Sequence, residues 1–305
     1  MANTFGDKWS FTSFGESHGA AIGGVLDGVP AGIAIDFDMI REELQRRREG
    51  VRELASEGVS ARAMREPDEV EWLSGVMDGK TLGTPIAFII RNKDARPEDY
   101  EYLKHTYRVG HADKVYEQKY GIRDWRGGGR ASARETAARV VAGGIAKQQL
   151  AAQGVRIQAE LIQVGAETDS ARFAETIACY QKDGDSIGGI VECRITGLPV
   201  GTGEPIFDKL QAHLAFAIMS INACKGFEYG TGFGGVTEPG SAINAISGGI
   251  AGGIADGSEI VFRCVFKPTP STPKAGVKGR HDACVAVRAV PVVEAMTALS
   301  LVQFL

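Results

Sequence analysis

Two hydrophobic periods alternate along this chain. Segments such as "VRIQAELIQVG" (155–165) and "EIVFRCVF" (259–266) alternate between apolar and polar side chains, which predicts strands with one face buried. Elsewhere apolar residues recur at helical spacing among polar neighbours. This predicts helices over about 38–48 and 207–221, and longer, more apolar ones beginning at Ser132 and closing the chain. The apolar tail from Cys284 to Leu305 is interrupted by Arg288, Pro291 and Glu294, so it reads as a buried helix rather than a membrane span. Helix and strand signals interleave, which places the chain in a mixed α and β class.

The pattern also repeats. "LDGVPAGIAIDFDMIREEL" (26–44) is echoed by "ITGLPVGTGEPIFDKLQAHL" (195–214), each an apolar run, then G-x-P-x-G, then an amphipathic segment. Upstream, "IGGV" at Ile22 matches "IGGI" at Ile187. Downstream, "SGVMDGKTLGTPIAFII" matches "GGIADGSEIVFRCVF", and "GGRASARETAARVVAG" matches "KGRHDACVAVRAVPVV". Four echoes in the same order predict one domain of two related, pseudo-symmetric halves, about 1–154 and 155–305. A site shared between equivalent loops would follow naturally.

Composition narrows the function. A length of 305 residues can bury a sizeable core, and 24% charged with 44% apolar residues is ordinary for a globular protein. The net charge of -4 excludes a general polyanion binder, and acidic residues interleaved with Arg41–Arg65 argue against nucleic acid. Five scattered cysteines without a C-x-x-C pair predict reduced thiols and no zinc site; with no apolar leader in "MANTFGDKWSF", they predict a cytoplasmic protein.

The stretch "RGGGRASARET" (126–136) carries the chemistry. Ser132 and Glu135 form a capping-box pattern, so the glycine run leads into a helix N-terminus, a favourable place for an anion. Neither a Walker loop nor a Rossmann fingerprint is present. Arg130 and Arg134 flank that end, where positive charge is out of place on dipole grounds. Arg108, Arg123 and Arg126 precede the run, Arg46, Arg47 and Arg48 end the first helix, and Arg280 adds another. The simpler alternatives are a glycine-rich turn with solvated arginines and cations that suit a helix C-terminus. So many arginines on an acidic chain point instead to a small, highly anionic substrate gripped by guanidinium pairs. His18, His111 and His281 lie in glycine-flanked turns and are candidate general acids; Asp282 is a candidate base or the salt-bridge partner of its neighbour. His105 and His213 read as structural.

Together, "SFGESHG", "GHADKVYEQKYGIRDWRGGGRASARET", "KDGDSIGG", "SINACKGFEYGTGF", "GGIAGGIADG", "KPTPS" and "KGRHDACVAVRAVPVVEAM" resemble the signature blocks of the chorismate synthase family over nearly the whole chain, in order. The resemblance implies an α+β fold, a layered β-α-β sandwich with internal pseudo-symmetry, assembled as a homotetramer. It implies elimination of phosphate from 5-enolpyruvylshikimate 3-phosphate to give chorismate, with reduced FMN as cofactor and no net redox change. By motif match, His18 protonates the leaving phosphate, His111 protonates the reduced flavin, and Asp282 helps to accept the ring proton. Ser17, Arg46, Arg108, Arg130, Ser132, Arg134 and Arg280 hold substrate; Asn222, Lys267 and Ser271, with Arg280, hold the flavin. No nicotinamide fingerprint is visible, so an external flavin reductase, rather than the chain's own use of NADPH, is expected to supply reduced flavin.

Departures from the family pattern accompany the match. Val109 and Ala283 stand where the family has proline, each costing about 1 kcal/mol of turn pre-organisation. Glu49 follows the triple arginine and is expected to compete for it. Loops are short between Phe233 and Asn244 and between "KPTPS" and "KGRHD"; the segment from Glu49 to Met64 is long and helix-prone, and the chain stops soon after its final helix. A second reading therefore keeps the fold as an FMN- or phosphate-binding scaffold whose shortened lid loops weaken or abolish turnover.

Overall fold

A computed structural model describes residues 3–51, 54, 58–59, 61–243, 248–277 and 281–305. In the first half, strands β1 (Thr4–Phe5), β2 (Ser10–Phe14) and β3 (Ala21–Asp27) lead into α1 (Phe37–Glu49) and the short α2 (Ala61–Arg65). Then come β4 (Val70–Ser74), a small hairpin of β5 (Val76–Met77) and β6 (Lys80–Thr81), β7 (Ile86–Arg91), α3 (Asp113–Tyr120) and α4 (Thr136–Ala152). The second half runs β8 (Arg156–Val164), α5 (Phe173–Lys182), β9 (Gly189–Thr196), α6 (Leu210–Met219), β10 (Cys224–Tyr229) and α7 (Gly240–Ile243). A second hairpin of β11 (Ile250–Ala251) and β12 (Ile254–Ala255), then β13 (Ile260–Phe266) and α8 (Ala286–Leu301), complete it. The fold is α+β.

Two antiparallel sheets carry the two halves, in the orders β1-β2-β3-β7-β4 and β10-β13-β9-β8. Leaving out β1 and reading the second sheet in reverse, the strands succeed each other in the same pattern. The hairpins match too, each tethered by one bridge to the turn after the G-x-P-x-G motif, Ala34 to Lys80 and Gly203 to Ile254. The alternating pattern sets the buried faces. The pairs Ile22–Ile90 and Leu26–Ile86 in one sheet, and Val191–Cys264, Cys193–Phe262 and Ile195–Ile260 in the other, are all buried.

Helices α4 and α8 fill the space between the sheets, with α4 against β2 and β3 and α8 against β8 and β9. Every residue of α8 except Arg288 is buried. The two helices touch closely because Gly143 lacks a side chain: a Cβ there would lie 2.4 Å from Ala295 Cβ. Among the described residues no helix is long and apolar enough to cross a membrane.

Some local expectations shift. The first helix is capped by Asp36, whose carboxylate accepts from Met39 N–H at 3.0 Å. The helix expected over 207–221 is shorter, because Ile206 has a positive φ of 68° and Leu210 N–H donates to Gly253 of the second hairpin. Only half of the capping box forms. Ser132 caps a 3-10 turn at Ala133–Glu135, while Glu135 pairs along the helix with Arg139 at 3.0 Å. Most of the segment from 52 to 60 lies outside the described residues.

Candidate functional site

The loop between β7 and α4 and the loop between β13 and α8 occupy equivalent places in the two halves, and both line one cleft of about 380 Å³. The turn after β2 and the Asn222–Ala223 link into β10 complete its wall. This brings together His18, Arg108, His111, Ser132, Arg134, Asn222, Lys267, Ser271 and Asp282, residues as far apart as 264 positions in sequence.

His18 is buried, with Nδ1 2.9 Å from Ser17 Oγ. Ser17 in turn donates its hydroxyl proton to the Gly127 carbonyl at 3.1 Å. Its oxygen therefore accepts from His18 Nδ1–H, which leaves Nε2 as the atom where that ring gains or releases a proton. Tyr100 packs edge-on against the imidazole, with centroids 4.7 Å apart. The glycine run has a nearer reason than an anion. A Cβ on Gly127 would lie 2.0 Å from His18 Nδ1, and one on Gly128 2.7 Å from His111 Cε1. Both glycines have positive φ, 61° and 90°.

His111 is held from beneath. Its Nδ1 lies 2.8 Å from the buried Asp113 carboxylate, which also takes a two-pronged bond from Arg108 at 2.9 and 2.7 Å and the Arg108 backbone N–H at 3.0 Å. Burial pushes the Asp113 pKa up, but the bonds from Arg108 and His111 outweigh it and hold it well below the carboxylate range. The same bonds close the turn that contains Val109. Asp282 is fixed by Arg288 at 2.7 Å, and Arg288 also donates to the Arg47 carbonyl at 3.0 Å. Ala283 N–H donates to Gly58 C=O at 2.8 Å, a bond that proline at this position could not make. Burial lowers the pKa of neighbouring His281, with Asp282 opposing.

The arginines are sorted by the helix period. Ile40, Leu44 and Arg47 share the buried stripe of α1, so Arg47, not Arg46, reaches the cleft. Arg47 bonds Thr136 at 2.9 Å, Ala133 C=O at 2.9 Å and Asp68 at 3.2 Å. Burial, helped by Arg288, lowers its pKa to about 9, leaving it charged at neutral pH. Asp68 also pairs with Arg134, and these two arginines hold its pKa down against the opposing effect of burial. Arg134 in turn donates to Asn92 at 2.9 Å, and Asn92 donates to the carbonyls of Glu16 and Gly19, tying the His18 turn to this network. Asp68 and Asn92 carry no motif signal of their own, Asp113 and Arg288 lie inside the "GHAD" and "KGRHDACVAVR" blocks with nothing to mark their roles, and Arg47 follows from the helical phase.

Three expectations need correction. Arg46 faces away from the cleft and pairs with Glu43 and Glu294, both at 2.8 Å. Arg130 turns behind the His111 wall, where it bonds Ser13 Oγ at 2.7 Å. Glu49 does take one arginine of the triple, Arg48, at 2.8 Å, although on the outer side of α1 and not in the cleft. Arg123 and Arg126 are committed to Glu117 and Asp124. Arg280 lies outside the described residues. His105 is exposed, and His213 pairs with Asp208 at 2.8 Å.

Also lining the cleft, Asn222 Oδ1 and Ser271 Oγ are buried with no hydrogen-bond partner among the described residues, and Lys267 has no ion pair among them. Such a wall needs a polar, partly anionic ligand to be satisfied.

The family model for chorismate synthase matches residues 9–305. The chain belongs to the chorismate synthase family. A chorismate synthase from Phocaeicola vulgatus is 44% identical, with all of this chain and 98% of that one aligned. One from Christiangramia forsetii is 45% identical over 99% and 97% of the two chains. A crystal structure titled as chorismate synthase superposes with a TM-score of 0.77 at 29% identity, covering 98% of this chain and 92% of that one. Members are lyases of the shikimate pathway. The alignment to the first relative spans 357 positions against 305 residues here, so that chorismate synthase carries additional segments.

Proposed function

We propose that the cleft converts 5-enolpyruvylshikimate 3-phosphate to chorismate and inorganic phosphate by 1,4-anti elimination. The C–O bond to phosphate and a ring C–H bond break, and the ring gains a second double bond. The observation that carries this reading is the convergence of His18, His111 and Asp282, from three distant turns, on one arginine-lined cleft. Arg47, Arg108 and Arg134, with Arg280, would bind the phosphate and two carboxylates, and the carboxylates already paired with the first three fix their direction before substrate arrives. His18 would pass a proton from Nε2 to the leaving phosphate. Asp282, aimed by Arg288, would take the ring proton.

Reduced FMN fits the same cleft: Asn222 Oδ1, Ser271 Oγ and Lys267 provide the unsatisfied polar atoms and the cation that a flavin with a phosphate tail requires. When bound, that cofactor supplies an electron lent to the breaking C–O bond and recovered afterwards. His111 would hold a proton towards it.

The pseudo-symmetric halves are read as a duplication, supported by their shared strand order. Cytoplasmic residence is supported by five free cysteines, four of them buried. A homotetramer is supported by the family and by the exposed Phe207, Phe216, Phe233 and Val236. Delivery of reduced flavin by a separate reductase completes the proposal. A scaffold reading, with binding and no turnover, is favoured only by the extra length of the relatives.

An anaerobic assay with substrate and chemically reduced FMN, following chorismate by ultraviolet absorbance, tests both. Turnover that drops at least about 100-fold in His18→Ala and His111→Ala is expected. Full turnover in either variant removes its assigned role, and binding without turnover in the unmodified protein establishes the scaffold.

A further inference from the structure

The site's histidines differ in what lies behind them. Behind His18 stands a neutral serine; behind His111 stands an ionised, buried carboxylate that is itself anchored. Asp113 opens α3 and is 3% exposed, and three of its bonds come from Arg108, two from the guanidinium and one from the backbone. Its Oδ1 is 2.8 Å from His111 Nδ1. An ionised carboxylate accepts only, so the imidazole must present N–H to it. Arg108 Nη2, 3.1 Å from the same ring nitrogen, is then a second donor directed at the shared carboxylate rather than a donor to the ring.

We infer that Asp113 is a positioning residue for the elimination: it fixes His111 in the Nδ1–H tautomer and leaves Nε2 to carry the exchangeable proton into the cleft. The inference rests on the functional reading above. The physical argument is pre-organisation. A neutral imidazole has two tautomers of similar energy, and only one places its basic nitrogen at Nε2. A charged acceptor at 2.8 Å favours that tautomer. Gly128 closes the other side, since a Cβ there would stand 2.9 Å from Nε2. The ring is therefore clamped between a carboxylate and a bare backbone, and it has little room to turn over. Asp113 touches no reacting atom in this arrangement; it bears on the proton step through His111, and it also holds the Arg108 guanidinium.

Asp113→Asn keeps the shape and one acceptor oxygen but removes the charge that selects the tautomer. Nitrogen-15 shifts of selectively labelled histidine, read on the protein without substrate or flavin, should show Nδ1–H for His111 in the parent. In Asp113→Asn they should show a mixture of tautomers. In the anaerobic assay kcat should fall at least about tenfold, as His111 no longer presents its proton in line, while any rise in KM reports Arg108, which Asp113 also holds. Combined with His111→Asn, the substitution should add nothing further to the loss of kcat, as expected for a residue that serves the proton step through its neighbour. Three results would each overturn the inference: an Nε2–H tautomer in the parent, full kcat in Asp113→Asn, or an independent loss of kcat on top of His111→Asn. If the parent itself shows no turnover, the functional reading fails instead, while the nitrogen shifts still decide the tautomer.

Discussion

Gly127→Ala places one methyl group where the structure leaves none. The residue has φ of 61°, in the left-handed region, which costs a non-glycine residue about 1–2 kcal/mol. The new Cβ would lie 2.0 Å from His18 Nδ1 and 2.1 Å from Cε1, well inside contact distance, so the ring must move. Moving it breaks the 2.9 Å bond to Ser17, worth about 1 kcal/mol, and disturbs the edge-on contact with Tyr100, worth about 0.5–1.5 kcal/mol. A loss of about 2.5–4.5 kcal/mol in stability follows, together with a proton donor turned out of line, worth about 10²–10⁴ in rate. Urea denaturation followed by tryptophan fluorescence, with Trp125 two residues away, reads the first; the anaerobic assay reads the second. If Gly127→Ala keeps both its denaturation midpoint and its kcat, the glycine run has not been shaped by His18.

Further substitutions separate the roles assigned above. Arg46→Met should lower stability by about 1–3 kcal/mol, reduced because Arg46 is 41% exposed, and leave the substrate KM within about twofold; a tenfold rise would return Arg46 to the cleft. Burial raises the Glu294 pKa, but its bonds to Arg46 and Lys147 outweigh this and depress it, so protonation is harder in the folded state. That contribution is fully present above the unfolded carboxyl pKa of about 4.3 and drains as pH falls through the lower native value, so urea midpoints should decline in acid. Glu294→Gln should flatten that decline; an unchanged slope would contradict the assignment. Ala283→Pro should cost about 1–2 kcal/mol and reduce turnover, because the 2.8 Å bond to Gly58 is lost; a stabilised variant would show that bond to be unimportant.

Much of the site was legible because its residues sit in short glycine-flanked turns, where local sequence nearly fixes local shape. His18, His111 and Asp282 stood out for that reason, and all three line the cleft. The arginines were harder to read. Arg46, Arg47 and Arg48 are chemically alike, and only the phase of α1 against α4 and α8 decides which guanidinium points inward. Arg130 bears the same motif signal as Arg134, yet it bonds Ser13 on the far side of the wall. Asp68 and Asn92, which tie Arg134 in place, come from strand ends and carry no pattern, because their role is set by distant chain segments.

Periodicity and the four ordered echoes determined by themselves that helices and strands would interleave, that α8 would be buried, and where the main helices lie to within a few residues. These properties depend on which face of an element is apolar, and each residue reports that locally. Which carboxylate meets which cation was decided only by tertiary structure. Such pairs form between side chains whose approach depends on how two sheets close over α4 and α8, as with Asp113 under His111, Arg288 on Asp282, and Glu294 between Arg46 and Lys147.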